Sequence, residues 1–66
     1  MSFYCFMKNF EGEKSHFGDL FEGMKDINFP ENITTPKEIM EKFQHWLQEP
    51  SLHDTIQDAI KQYQNK

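Results

Sequence analysis

The large apolar residues of this chain fall on four short stripes with helical spacing, and no other feature constrains the fold as strongly. Members of each stripe recur at steps of three, four and seven residues, which places them on one face of an α-helix. The stripes are Phe3, Phe6, Met7 and Phe10; Phe17, Leu20, Phe21 and Met24; Ile39, Met40, Phe43, Trp46 and Leu47; and Leu52, Ile56, Ala59, Ile60 and Tyr63. The pattern predicts an all-α fold in which four amphipathic helices share one core.

Capping residues mark the predicted helix ends. Ser2 can cap the first helix, which is expected to run to about Phe10 and to end near Gly12, and Ser15 can cap the second. The strongest local signal is Thr35-Pro36-Lys37-Glu38, which combines a threonine cap, proline at the first helical position and glutamate three residues after the cap.

The third helix is predicted to continue until Pro50, and Ser51 with Asp54 to restart the chain as a fourth helix. In the break at residues 27–34, Phe29 and Ile33 are expected to pack the loop against the core. Because every connection is short, residues 1–66 are predicted to form one domain, a compact four-helix bundle.

Composition limits what can hold so small a chain together. A single cysteine excludes an internal disulfide, and no cluster has structural-zinc spacing. Seven Phe, two Tyr and one Trp remain, and each aromatic side chain can bury roughly 150–250 Å². The aromatic residues are therefore interpreted first as core.

Charge argues against unaided binding of DNA or RNA. The net charge is −4, the seven lysines are scattered and arginine is absent, whereas a nucleic-acid binder normally carries a basic patch. No apolar run reaches the ~20 residues that cross a bilayer, and no secretory signal is recognised. An exposed lone thiol at Cys5 fits a reducing compartment, so a cytoplasmic location is expected.

The polar residues offer no clear reactive centre. Asp19, Glu22 and Asp26 share a helix face that could collect a divalent cation or a basic partner, but a solvated face is the favoured interpretation. Asp19 could orient His16 as in a catalytic pair, although a surface interaction at a helix start is favoured there too. Cys5 lacks an activating neighbour. The sequence thus predicts no catalytic residue, metal site or cofactor, and not an enzyme.

Aromatic residues near the stripe edges give a softer indication. Tyr4, Phe29 and Trp46 are candidate partner-binding residues, because exposed Trp and Tyr are favoured at protein interfaces. The alternative is that they are incompletely covered core, since Trp is seldom fully buried.

The order of several motifs resembles the YozE SAM-like family of small bacterial proteins. These motifs are the opening Ser2-Phe3-Tyr4, Phe6-Met7, the stretch from Asp26 to Phe29-Pro30, the Thr35-Pro36 helix start, and Ala59 with Tyr63. The chain departs from the family pattern at Ile56 and Ile60, where aromatic residues are typical, so it resembles a divergent member. The resemblance implies a fold like the sterile alpha motif and carries no catalytic residue.

Two functions follow as hypotheses. The leading one is a non-enzymatic protein-interaction module, suggested by the acidic surface and the edge aromatics, with an unidentified protein as partner. The alternative is a nucleic-acid-associated protein, which rests on fold analogy alone and predicts steeply salt-dependent binding through the lysines.

Overall fold

The computed structural model describes residues 1–65, and within that range the backbone forms four α-helices and no strand. They are α1 (Phe3–Lys8), α2 (His16–Asp26), α3 (Pro36–Lys42) and α4 (Pro50–Gln64). Helices α1, α2 and α4 pack against one another in pairs. The radius of gyration is 10.6 Å, close to the ~11 Å of a globular domain this long. The predicted all-α, four-helix fold is confirmed.

Three predicted helix caps are present in the structure. The Ser2 hydroxyl accepts a hydrogen bond from the Cys5 N–H, and the Ser15 hydroxyl accepts one from the Gly18 N–H. The Thr35 hydroxyl accepts from the Glu38 N–H and donates to the Glu38 carboxylate. Each cap satisfies a backbone donor that has no partner inside its helix.

The prediction that the third helix continues to Pro50 is wrong. Helix α3 ends at Lys42, and residues 43–49 form turns, several of them closed by i→i+3 hydrogen bonds such as that from the Trp46 N–H to the Phe43 carbonyl. Three residues per turn bring side chains at i and i+3 onto the same side. The turns therefore place Trp46 over Phe43.

The predicted restart at Ser51 is also misplaced. Glu49 is extended and is the N-cap of α4, without a side-chain hydrogen bond, and Pro50 occupies the first helical turn. Proline keeps the preceding residue out of the helical region and is itself suited to the first position. Pro50 thus begins α4. The first helix likewise ends at Lys8, and turns lead from there to Gly12, which has a φ of 84°.

The loop after α2 is fixed to the core, as predicted. Asn28 has a φ of 55°, and the Phe29 N–H donates to the Met24 carbonyl, a Schellman-type end in which asparagine takes the left-handed position. Phe29 and Ile33 are buried. The Ile33 carbonyl also accepts from the Phe3 N–H, so the loop ties the end of α2 to the start of α1.

All four helices and this loop contribute to one apolar core. Its buried members are Phe3, Phe6, Met7, Leu20, Phe21, Met24, Phe29, Ile33, Ile39, Phe43, Ile56, Ala59 and Ile60. Within residues 1–65 the core contains no polar or charged side chain. In the same part of the chain, no helix is long and apolar enough to cross a membrane.

Candidate protein-binding groove

A stack of three aromatic rings runs from the core to the surface. The rings of Phe29 and Phe43 lie 5.0 Å apart at an interplanar angle of 30°, and those of Phe43 and Trp46 lie 5.5 Å apart at 25°. Phe29 and Phe43 are buried, whereas Trp46 is half-buried. The indole is therefore held in one orientation by core residues while part of it stays accessible to a partner.

Gly23 on α2 provides the space that the indole occupies. A Cβ atom added at Gly23 would lie 2.5 Å from the nearest atom of the Trp46 ring, which is closer than real Cβ contacts come. Any larger residue would displace the ring. The glycine thus sets how closely Trp46 approaches α2.

The Trp46 groove lies between α2 and the start of α4. It is a half-open groove of about 320 Å³, near the lower end of the ~300–1,000 Å³ typical of ligand sites. Leu20, Gly23, Trp46 and Leu52 supply its apolar surface, and His16, Asp19, Ser51 and Thr55 its polar edges. The Thr55 hydroxyl is already bonded to the Ser51 carbonyl, which leaves the floor of the groove mainly apolar.

A second depression of about 150 Å³ adjoins the groove on the other side of Trp46, which lines both. Lys42 and His45 stand at it, together with Ile27. Ile27 is 40% exposed, which is unusual here, because the only other large apolar residue exposed in the described range is Met1. Accessible apolar surface thus continues from the groove past Trp46.

The two depressions differ in charge. Asp19 is exposed at the edge of the Trp46 groove and takes part in no ion pair among the described residues. Lys25 is directed elsewhere, because its ammonium lies 3.1 Å from carboxylate oxygens of both Glu11 and Glu22. Hydrogen bonds to Glu22 and then to Glu11 raise the pKa of Lys25 above 10.5. The groove therefore has a carboxylate without an ion-pair partner among residues 1–65, and no lysine of that range lines it.

The three aromatic residues proposed from the sequence do not form one surface. Trp46 lines the groove. Tyr4 is half-buried against Phe21, with ring centroids 5.2 Å apart, and lines a separate depression. Phe29 is only 3% exposed, because the loop end described above directs it into the core. Its ring stacks on Phe43, which in turn stacks on Trp46, and it has almost no surface of its own for a partner.

The other candidates from the sequence are spread over the surface. Asp19, Glu22 and Asp26 are exposed, and no hydrogen bond joins His16 to Asp19. Cys5 is exposed, as expected. In the part of the chain that the structure describes, no three acidic, histidine or cysteine residues come together in a way that could hold a metal ion.

Sequence reasoning missed several residues of the groove. Gly23 has no predicted role in a site, and Leu52 is predicted only as a member of a core stripe. Two features of the sequence could have pointed to the groove. Gly23 follows Leu20 by three residues, so it lies on the same side of α2 as that buried residue, and Trp46 is the only tryptophan of the chain. That the two meet depends on the turns after α3, which no spacing in the sequence indicates.

Comparison with known proteins gives one result. The family model described as the YozE SAM-like fold matches residues 2–65, nearly the whole chain. No curated protein and no solved structure matches.

Proposed function

We propose that this chain, which belongs to the YozE SAM-like family, is a cytoplasmic, non-enzymatic protein-interaction module that binds its partner at the Trp46 groove. Family membership identifies the fold, and a fold does not by itself determine a function. The proposal therefore rests on the groove.

The observation that carries the proposal is the fixed, half-exposed indole. Interface hot spots are enriched in tryptophan and lie in well-packed positions near the centre of a contact. Stacking on Phe43 holds the Trp46 ring before any partner arrives, so little side-chain freedom is lost on binding. The apolar groove beside it provides the surface that a partner would cover.

Site-specific crosslinking tests this proposal. A photoreactive phenylalanine analogue replaces His16, which is exposed at the polar edge of the groove, and in a matched control it replaces Asp58, which is exposed on α4 away from the groove. We expect a discrete protein adduct from position 16 alone in cells of the source organism. The purified candidate must then bind the unmodified protein directly.

Trp46 reports on that direct binding, because it is the only tryptophan in the chain. Covering its exposed part should shift the fluorescence emission to shorter wavelength, and Ser51→Phe, which fills the groove, should abolish the shift. Equal crosslinking from both positions, or no adduct at all, would count against the proposal. A nucleic-acid adduct whose formation falls steeply with salt would favour the alternative function instead.

A further inference from the structure

The two depressions beside Trp46 form one elongated strip along α2. His16, Asp19, Leu20 and Gly23 line the first depression and Ile27 the second, so the contributing positions follow one face of the helix. At a rise of 1.5 Å per residue, the distance from His16 to Ile27 is about 16 Å. The strip is long enough for a short peptide segment, which could contact both depressions at once.

Opposite charges stand at the two depressions. The first has the Asp19 carboxylate, which has no cationic partner among the described residues, and the second has the Lys42 ammonium beside His45. Trp46 lies between them. A ligand that crosses the indole therefore meets a negative edge on one side and a positive edge on the other.

We propose that the occupant of this strip is a short amphipathic segment of another protein, with a bulky apolar side chain in the Trp46 groove, a lysine or arginine beside Asp19 and an acidic residue beside Lys42. This inference rests on the proposed function and adds the chemistry and direction of the partner. Charges at the edge of an interface select partners and fix their register, while the apolar anchor supplies most of the affinity.

Selection from a displayed library of random peptides of about 12 residues, or about 18 Å if helical, tests the proposal. The wild-type protein is the target, and peptides that also bind Ser51→Phe are removed. We expect the remaining peptides to share an apolar anchor with a basic residue toward one end and an acidic residue toward the other. Binding of individual peptides is then measured by the fluorescence of Trp46.

Charge reversals at the two ends provide the decisive measurement. Asp19→Lys should lower the affinity for the selected peptides about tenfold and make their basic residue dispensable for binding. Asp58→Lys, which changes the net charge by the same amount, should change that affinity less than about twofold. Lys42→Glu should lower the affinity for the selected peptides by a similar factor. Its control is Lys61→Glu, since both lysines lie in the last turn of a helix.

The outcomes separate the two proposals. If the selected peptides fail to bind Ser51→Phe but bind both charge-reversal variants with unchanged affinity, the inferred partner chemistry is wrong and the proposed binding function is retained. An absence of peptides that need the groove would overturn both. If sedimentation instead shows self-association that Ser51→Phe abolishes, the occupant is a second copy of this chain and the inference is wrong.

Discussion

Helix α2 carries two glycines whose surroundings differ in kind. A Cβ at Gly18 would overlap the backbone carbonyl of Glu13, in the connection between α1 and α2. A Cβ at Gly23 would meet the far edge of the Trp46 indole. The first neighbour is main chain, held by hydrogen bonds on both sides, whereas the second is a side chain at the surface.

The difference separates a closed region of the molecule from an adaptable one. At Gly18 the Glu13 N–H is bonded to the Phe10 carbonyl, and the cap at Ser15 fixes the helix start, so the main chain is held before and after the Glu13 carbonyl. At Gly23 the indole is held by stacking on Phe43, so it can yield to a new methyl group by giving up side-chain contacts, without breaking a backbone hydrogen bond. Helix α2 is thus confined by main chain at Gly18 and only by a side chain at Gly23.

The largest expected effect tests whether the adaptable region is anchored in the core. Phe43→Ala removes a buried ring that contacts both Phe29 and Trp46, and should lower the free energy of unfolding by about 3–5 kcal/mol. That is a large part of the stability of so short a chain, at roughly 0.05–0.15 kcal/mol per residue. Urea denaturation followed by circular dichroism measures it.

Trp46→Ala is the matched control for Phe43→Ala. Because the indole is only half-buried, its removal should cost clearly less than removal of the phenyl ring beneath it. Equal losses from the two variants would mean that Trp46 is a core residue, and the adaptable region would then not exist as described.

The next largest effect distinguishes the two glycines directly. Gly18→Ala improves helix propensity by ~1 kcal/mol, but the new methyl group collides with the Glu13 carbonyl, and such overpacking costs about 1–3 kcal/mol. Because the overlap is with main chain, the cost should fall in the upper part of that range, and we expect a net loss of stability of about 1–2 kcal/mol. Gly23→Ala should change the stability by less than ~0.5 kcal/mol, because moving the indole offsets the gain in propensity. A Gly18→Ala variant as stable as the wild type would remove the basis of the comparison.

A double-mutant cycle makes the comparison sharper. In a protein that already carries Trp46→Ala, Gly23→Ala has nothing to displace and should stabilise by ~1 kcal/mol. The cost of Gly18→Ala should be the same in both backgrounds, since its obstacle is the Glu13 carbonyl. Neighbouring residues typically couple by about 0.5–3 kcal/mol. The free energies of unfolding are taken from urea denaturation curves. A coupling free energy of zero between positions 23 and 46 would contradict the contact between Gly23 and the Trp46 ring.

How much of this could be predicted from the sequence differs between the two regions. The closed region could be predicted well, because local chemistry determines it: the Ser15 cap and the stripe containing Leu20 and Phe21 were all recognised. The adaptable region could not. It depends on turns after α3 that bring Trp46 onto Gly23, more than twenty positions away, and no spacing in the sequence indicates those turns.

Phe29 illustrates the same limit within one residue. Its loop position predicted that it packs against the core, and the structure confirms this, but its aromatic character also suggested a surface role. Only the fold shows that the ring is covered by neighbours from α1 and from the segment after α3. The residue then supports the candidate site without itself forming part of the exposed surface.

The smallest expected effect concerns the ion pairs that hold the closed region. Lys25 on α2 bridges Glu22 to Glu11 in the connection after α1, and these carboxylates raise its pKa. A raised lysine pKa means that the pairs stabilise the folded state fully below pH 10.5 and that this contribution is lost as the pH rises through the folded-state value.

Thermal melts of the wild type and of Lys25→Gln test this. The wild type should be slightly more stable near neutral pH, and the difference should vanish as the pH rises through the raised pKa of Lys25 or as salt screens the exposed charges. Lys37→Gln, which removes an exposed lysine that forms no ion pair among residues 1–65, is the control. A Lys25 effect that persists in strongly alkaline solution would mean that the alkyl chain, which brings the ammonium to 5.5 Å from the Phe21 ring centroid, stabilises this region by packing rather than by charge.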